Sequence, residues 1–298
     1  MYGIEGRSWV GMGDPIGQVE EYAELVWSFR EMCDRYDGWS VFYEVGPETP
    51  YLYLDLGLTL LKLGEQGRVP LEDFFLTGSA RKGLRYTSHK LEREGCIFEV
   101  VPTEKVPSLL PELKRISDAW LGRKVVREKG VSLGFFDADY LERFPMGIVR
   151  KNDKIVAFAN IWSGAEKEEV STDLMRYLPE SPPSVMEYLF IHLMLWSKNE
   201  GYRWFNLGMA PFSGIESRAL APLWNRIGAF VFRHGEHFYN LRGLRQFKEK
   251  FDPVWNSRYL ASPNGLVLPR VLADIASLIS GGLKEPSFCG TYLSNSST

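Results

Sequence analysis

A chain of 298 residues, 45% of them apolar and 24% charged, has globular composition and is long enough for one large domain or two ordinary ones. A net charge of −3 excludes a uniformly cationic surface, and Cys33, Cys96 and Cys289, scattered and without CxxC spacing, suggest neither a disulfide framework nor a cysteine metal site, so a reducing compartment fits. No run reaches the ~18 apolar residues of a membrane-spanning helix and MYGIEGRSWV lacks both parts of a signal peptide, so this stretch is expected to be soluble as given.

In chain order, SWVGM reads as a strand, Gln18 to Tyr36 as a helix and Ser40 to Val45 as a strand. LTLLKLG and a helix near Leu76 to Glu94 follow. After CIFEVVP (Cys96 to Pro102) the period becomes helical, with Leu109, Leu110, Leu113, Ile116 and Trp120 near one face. MGIVRKNDKIVAFANIW is two apolar runs joined at a polar tip, Lys151 to Lys154, which predicts a hairpin. EEVSTDLMRY is expected to continue as a third strand. SVMEYLFIHLMLWSKNEG predicts a helix stopped at Gly201, YRWFNLGM a strand, and Arg218 to Phe232 a long helix. The tail SFCGTYLSNSST should fray.

Hairpin, third strand, helix, strand, helix is the order of acetyltransferase-like (GNAT) domains, and the first third resembles a less complete version of it. The expected fold is therefore α/β (α+β), with tandem GNAT-like domains over residues 1–102 and 123–298 joined by a bridging helix at 103–122.

Short motifs carry little chemistry on their own. GMGDPIG (Gly11 to Gly17) has Ile16 in the place of a dinucleotide loop's third glycine, and Pro15 removes an amide, so a tight turn competes with nucleotide binding. Arg127 to Ser132 is the nearest approach to an acyl-CoA loop and is incomplete. His234-Gly-Glu-His237 lacks a third metal ligand. Ala210-Pro-Phe-Ser213-Gly214 lacks the first glycine of a nucleophile elbow.

Two features are more informative. Asp173 and Arg176 close the expected third strand; strict alternation puts them on opposite faces, whereas a bulge or strand end lets both line one cleft. They read either as a structural ion pair or as a site in which Asp173 binds an amino group and Arg176 faces a carbonyl or phosphate. From Arg226 to Arg258, seven cations (Arg226, Arg233, Arg242, Arg245, Lys248, Lys250, Arg258) stand against Glu236, Glu249 and Asp252. Interleaved aromatic residues make this stretch suited to phosphate and single-stranded nucleic acid, or to a helix with a solvated cationic face.

LGMAPFSGIE, LWNRIGAFVFRHGEHFYNLRGLRQFKEKFDPVWNSRYLASP, VSTDLMRY and GRSWVGMGDPIG together resemble the C-terminal domain of the multiple peptide resistance factor family, over about Gly6 to Pro263. The resemblance implies two GNAT-like domains joined by a helix, and transfer of a lysyl or alanyl group from aminoacyl-tRNA to the glycerol headgroup of phosphatidylglycerol. Such transfer lowers membrane negative charge and confers resistance to cationic antimicrobial peptides. No cofactor and no metal are required, because the donor is already an activated ester. The implied partners are the aminoacyl-tRNA acceptor end and phosphatidylglycerol at the cytoplasmic face of the bacterial inner membrane, with a fused N-terminal transmembrane flippase-like domain. For this chemistry Asp173 and Glu236 are assigned to the ammonium, Arg176 to the carbonyl or a nearby phosphate, and Tyr239 to the carbonyl oxygen. Arg242, Lys248, Lys250 and Arg258 are assigned to phosphate groups, and Glu236 or a tRNA ribose hydroxyl to proton transfer. The Fem transferases of peptidoglycan bridging, and a non-catalytic module binding nucleic acid or a membrane partner, are the alternatives.

Overall fold

A computed structural model of the chain describes residues 1–123, 134–215 and 241–279. Its first elements are β1 (Tyr2–Glu5), β2 (Ser8–Met12), α1 (Tyr22–Arg35), β3 (Trp39–Val45), α2 (Pro50–Asp55) and β4 (Thr59–Pro70). Next come α3 (Lys82–Arg93), β5 (Cys96–Val101), α4 (Leu110–Arg123), α5 (Ala138–Leu141), β6 (Met146–Lys151) and β7 (Lys154–Asn160). β8 (Trp162–Ser163), β9 (Glu169–Ser171), β10 (Met175–Tyr177), α6 (Val185–Asn199) and β11 (Trp204–Pro211) follow. The last are α7 (Leu241–Glu249), β12 (Val254–Ser262) and α8 (Leu268–Ile279).

Local chemistry accounts for the best-defined elements. Asn152 and Asp153 have φ of 51° and 61°, the left-handed pair that a two-residue hairpin turn requires, and β6 and β7 pair across them. α6 stops before Gly201, whose φ of 86° a side chain would resist. α6 is apolar nearly all round because it is buried with the β5 to β7 strands and with α3 and α4 in the largest core cluster, around Phe158, Met146, Leu189 and Phe205. In α4, Leu113 and Ile116 are fully buried while Trp120 is half-buried.

Two sheets form. One has eight strands in the order β1-β2-β3-β12-β4-β11-β9-β8, and the other four in the order β10-β7-β6-β5. β2 with β3 and β9 with β11 are parallel pairs; the remaining pairs are antiparallel. Hydrogen bonding does not follow the division at 102. β5 pairs with β6, and β12 lies between β3 and β4, so each sheet takes strands from both sides of that boundary.

Two expectations about single elements need correction. EEVSTDLMRY is not one strand: β9 belongs to the large sheet and β10 to the small one, with Thr172 to Leu174 as the corner between them. α3 starts at Lys82 rather than near Leu76, and LTLLKLG is the opening of the longer strand β4. The expected helix at Arg218 to Phe232, the Arg127 to Ser132 motif and the tail lie outside the described residues.

Candidate functional site

Parallel strands β9 and β11 pair from Trp204↔Glu169 to Asn206↔Ser171, and there the pairing ends. Beyond it the chain from β9 turns toward the small sheet at Asp173. β11 bulges on the other side: between Asn206↔Arg68 and Met209↔Gln66, Leu207 and Gly208 stand opposite Gly67 alone. Ligand sites in α/β sheets form at such carboxyl ends, where neighbouring strands diverge. Asp173 and the Gly208 bulge each lie two residues past this last pair, on the continuations of the two strands.

The corner at Asp173 is built from four elements. Asp137 caps α5 by accepting from the Tyr140 amide at 2.8 Å, and this fixes Tyr140, whose hydroxyl donates to Asp173 Oδ2 at 2.8 Å. The Gly134 backbone amide also donates to the Asp173 carboxylate. At the end of β7, Asn160 Oδ1 accepts from the amides of Asp173 (3.1 Å) and Leu174 (2.7 Å). Burial raises the Asp173 carboxyl above the ordinary aspartate range; Tyr140, the Gly134 amide and the charge of Arg176 oppose it.

Arg176 lies on β10 opposite Phe158, only 8% exposed, with its guanidinium 4.2 Å from the Trp120 ring of α4. Trp120 also lines a cleft of about 190 Å³ with Arg123, Tyr177 and Pro179. Asp173 sits in the corner ahead of β10, so the two residues do not alternate along one continuous strand. Arg176 is close enough for its charge to act on Asp173.

The Gly208 bulge is organised by Lys248. This residue of α7 is 6% exposed, and its ammonium donates to the carbonyl oxygens of Gly208 (3.0 Å) and Met209 (2.8 Å), two acceptors of the bulge. Burial pushes Lys248 down to about 8, with Glu44 acting in the opposite sense. Glu44 is an extra residue in β3, between the pairs Val45↔Tyr259 and Tyr43↔Leu260, and has a φ of 65°. Its carboxyl is raised by burial and lowered by Arg258 and Lys248. Behind the bulge, Asn206 accepts from the Gly208 amide and donates to Glu169, which also accepts from Arg68.

The remaining predicted cations are placed differently. The Lys250 ammonium is paired with Glu187, a buried carboxylate of α6 that also accepts from Thr87. Arg258 donates to Gln66 and lies 3.7 Å from Asp14. Arg242 is exposed on α7. Glu236 and Tyr239, with His234 and His237, lie outside the described residues. Asp14, in the middle of GMGDPIG, accepts from the Gly46 amide, Thr49 and Tyr53, so that motif ties the loop before α2. Ser213 donates to Ala210 O and closes a turn.

Tyr140, Asn160, Glu44 and Asn206 were not anticipated as site residues. Asn160 left a trace, as the amide that interrupts the apolar run IVAFANIW, and Asp137 is a residue type that caps helix starts. Glu44 left none, because a bulge is a property of pairing between distant strands.

The two sheets and their flanking helices make a mixed α/β, GNAT-like fold. FemX, 9% identical with a TM-score of 0.56 over 90% of this chain and 84% of its own, shares the architecture. The chain belongs to the family described as phosphatidylglycerol lysyltransferase, C-terminal, whose model matches residues 1–262. It is 39% identical to a phosphatidylglycerol lysyltransferase of Bacillus subtilis over 96% of this chain and 33% of that protein. The corresponding enzyme of Staphylococcus aureus is 34% identical over 87% of this chain and 31% of its own length. The chain thus spans about a third of the length of these curated relatives. The C-terminal domain of a candidate lysylphosphatidylglycerol synthetase from Agrobacterium fabrum is 42% identical, with a TM-score of 0.85 over 96% of this chain and 87% of that one. L-PGS from Bacillus licheniformis is 38% identical, with a TM-score of 0.81 over 94% and 85%. Among the described residues no helix is long and apolar enough to cross a membrane.

Proposed function

We propose that the chain transfers an aminoacyl group from aminoacyl-tRNA to the glycerol headgroup of phosphatidylglycerol, with the opening between β9 and β11 as the acyl site. The observation that carries this reading is a carboxylate of raised pKa, Asp173, beside a buried cation, Arg176, at the point where two parallel strands part. The lysyltransferase relatives support the lipid acceptor and favour lysine as the transferred residue.

A headgroup hydroxyl attacks the ester carbonyl, its oxygen forms the new ester, and the ribose oxygen of the tRNA leaves with a proton. Asp173 holds the amino acid's ammonium, and Arg176 stabilises negative charge developing on the carbonyl oxygen or a neighbouring phosphate. Glu236 and Tyr239 complete the site as second ammonium ligand and carbonyl donor, with Glu236 or the adjacent ribose hydroxyl carrying the proton. Arg242, exposed on α7, takes a phosphate of lipid or tRNA. Lys250, paired with Glu187, and Arg258, donating to Gln66, are assigned to phosphate groups alongside it. Membrane association follows from the acceptor, and a membrane domain elsewhere in the full-length protein would supply it.

The test is to incubate the chain with radiolabelled lysyl- or alanyl-tRNA and phosphatidylglycerol vesicles. Label from lysyl-tRNA in extracted lipid is the expected result. Label in a cell-wall precursor instead supports a Fem-like transferase, and label in neither acceptor overturns the enzymatic reading.

A further inference from the structure

The corner that carries Asp173 is held by one side chain. Asn160 is fully buried at the last position of β7, and its Oδ1 accepts both main-chain amides of the corner, from Asp173 and Leu174. Its own backbone amide donates to Leu174 O at 3.1 Å, so three bonds tie this one residue to the segment leaving β9 for β10. These bonds fix the direction in which the Asp173 side chain leaves the backbone, toward Tyr140.

The choice of an amide at this position is informative. Asn160 Nδ2 is buried, and the Asn160 side chain also acts on the Tyr140 hydroxyl as a hydrogen-bond donor that eases its ionisation. A carboxylate at the same position could also accept both amides, but its second oxygen would be a buried charge in place of the amide nitrogen. It would also put a second negative charge beside Asp173, where the titratable groups facing that carboxylate are Tyr140 from α5 and Arg176 from β10. Serine or threonine is too short for both amides, and an apolar residue leaves them unbonded.

We infer that Asn160 is a positioning residue for Asp173: a neutral double acceptor that shapes the corner and keeps a competing negative charge out of the acyl site. The inference rests on the reading of Asp173 given above, but its test does not depend on turnover. Label the chain with ¹³C at aspartate carboxyls, assign the Asp173 resonance by its loss in Asp173→Asn, and titrate. Asn160→Asp retains both acceptor bonds and should raise the Asp173 midpoint by about one pH unit. The acidic limb of lysyl transfer should move by the same amount.

Asn160→Ala releases the corner, so the Asp173 midpoint should fall toward the ordinary aspartate value, and kcat should drop about tenfold or more while KM for phosphatidylglycerol holds. A folded Asn160→Asp chain in which Asp173 titrates as in the wild type overturns the inference. If Asp173→Asn itself transfers at the wild-type rate, the acyl-site reading fails instead, and the titration still decides whether Asn160 governs Asp173.

Discussion

Burial raises the Asp173 carboxyl while Tyr140, the Gly134 amide and Arg176 pull it back, and the balance is unfavourable to the charge. A carboxyl whose folded pKa exceeds its unfolded value binds protons more tightly in the native state. Stability is then greatest below the unfolded pKa and falls as pH rises through the folded one. At neutral pH the ionised form burdens the fold, a cost that the proposed role as counter-charge to a substrate ammonium would account for. Asp173→Asn should therefore raise the thermal midpoint at neutral pH, with a smaller gain in acid, and abolish transfer. Differential scanning fluorimetry at both pH values checks the sign, and a variant less stable at neutral pH would mean that Asp173 is held as a structural ion.

Lys248 acts on the same scale but with the opposite sign. Its two carbonyl partners, Gly208 and Met209, would be stranded in Lys248→Met, at a cost of about 2 kcal/mol or more. Because burial pushes the amine down to about 8, below its unfolded value, the native state binds its proton less tightly than the unfolded chain does. Wild-type stability should gain from pH about 8 toward ~10, the ordinary lysine range, and the variant should lack that gain. Urea denaturation of both proteins across that range measures it. A phosphate ligand on the surface would give neither the stability loss nor the pH dependence.

Among the elements, legibility in the sequence tracks the range over which each is specified. The β6–β7 hairpin and α6 are written in contiguous residues: a left-handed Asn-Asp pair, an apolar run, a terminal glycine. The break between β9 and β10 is not. EEVSTDLMRY has uniform strand character, and what divides it is that Ser171 finds a partner in Asn206 while Met175 finds one in Ala159. For the same reason Asp173 and Arg176 were legible as a pair, whereas the residues that orient them were not. Tyr140 and Asn160 come from 33 and 13 residues upstream of Asp173 and matter only through where the chain returns. The Asp173 corner and the Gly208 bulge are likewise distant in sequence and linked only through one parallel pairing, which is the kind of contact hydrophobic periodicity does not encode.

At the scale of the whole molecule, the insertion of β12 decides how the chain can be divided. β12 pairs with β3 through Tyr259↔Val45 to Ala261↔Phe42 and with β4 through Val254↔Arg68 to Ser262↔Thr59, so it fills the centre of the large sheet. A fragment ending at 102 retains β3 and β4 but loses the strand between them and β11 beyond, leaving one edge of β3 and both edges of β4 unpaired and the core beneath β3 without Leu260 and Ala261. It also detaches β5 from β6. The composition of residues 1–102 still reads as that of a globular domain, so its isolated behaviour separates a self-contained first domain from a shared sheet. Residues 1–102 expressed alone should be unfolded or aggregated, with no dispersed amide spectrum and no slowly exchanging amides in β3 or β4. Adding the segment 241–279, which supplies α7, β12 and α8, should restore part of that protection if the missing strand is the cause. A fragment 1–102 that gives a dispersed, exchange-protected spectrum by itself would show that the first domain folds without β12, and the opening between β9 and β11 would then belong to the second domain alone.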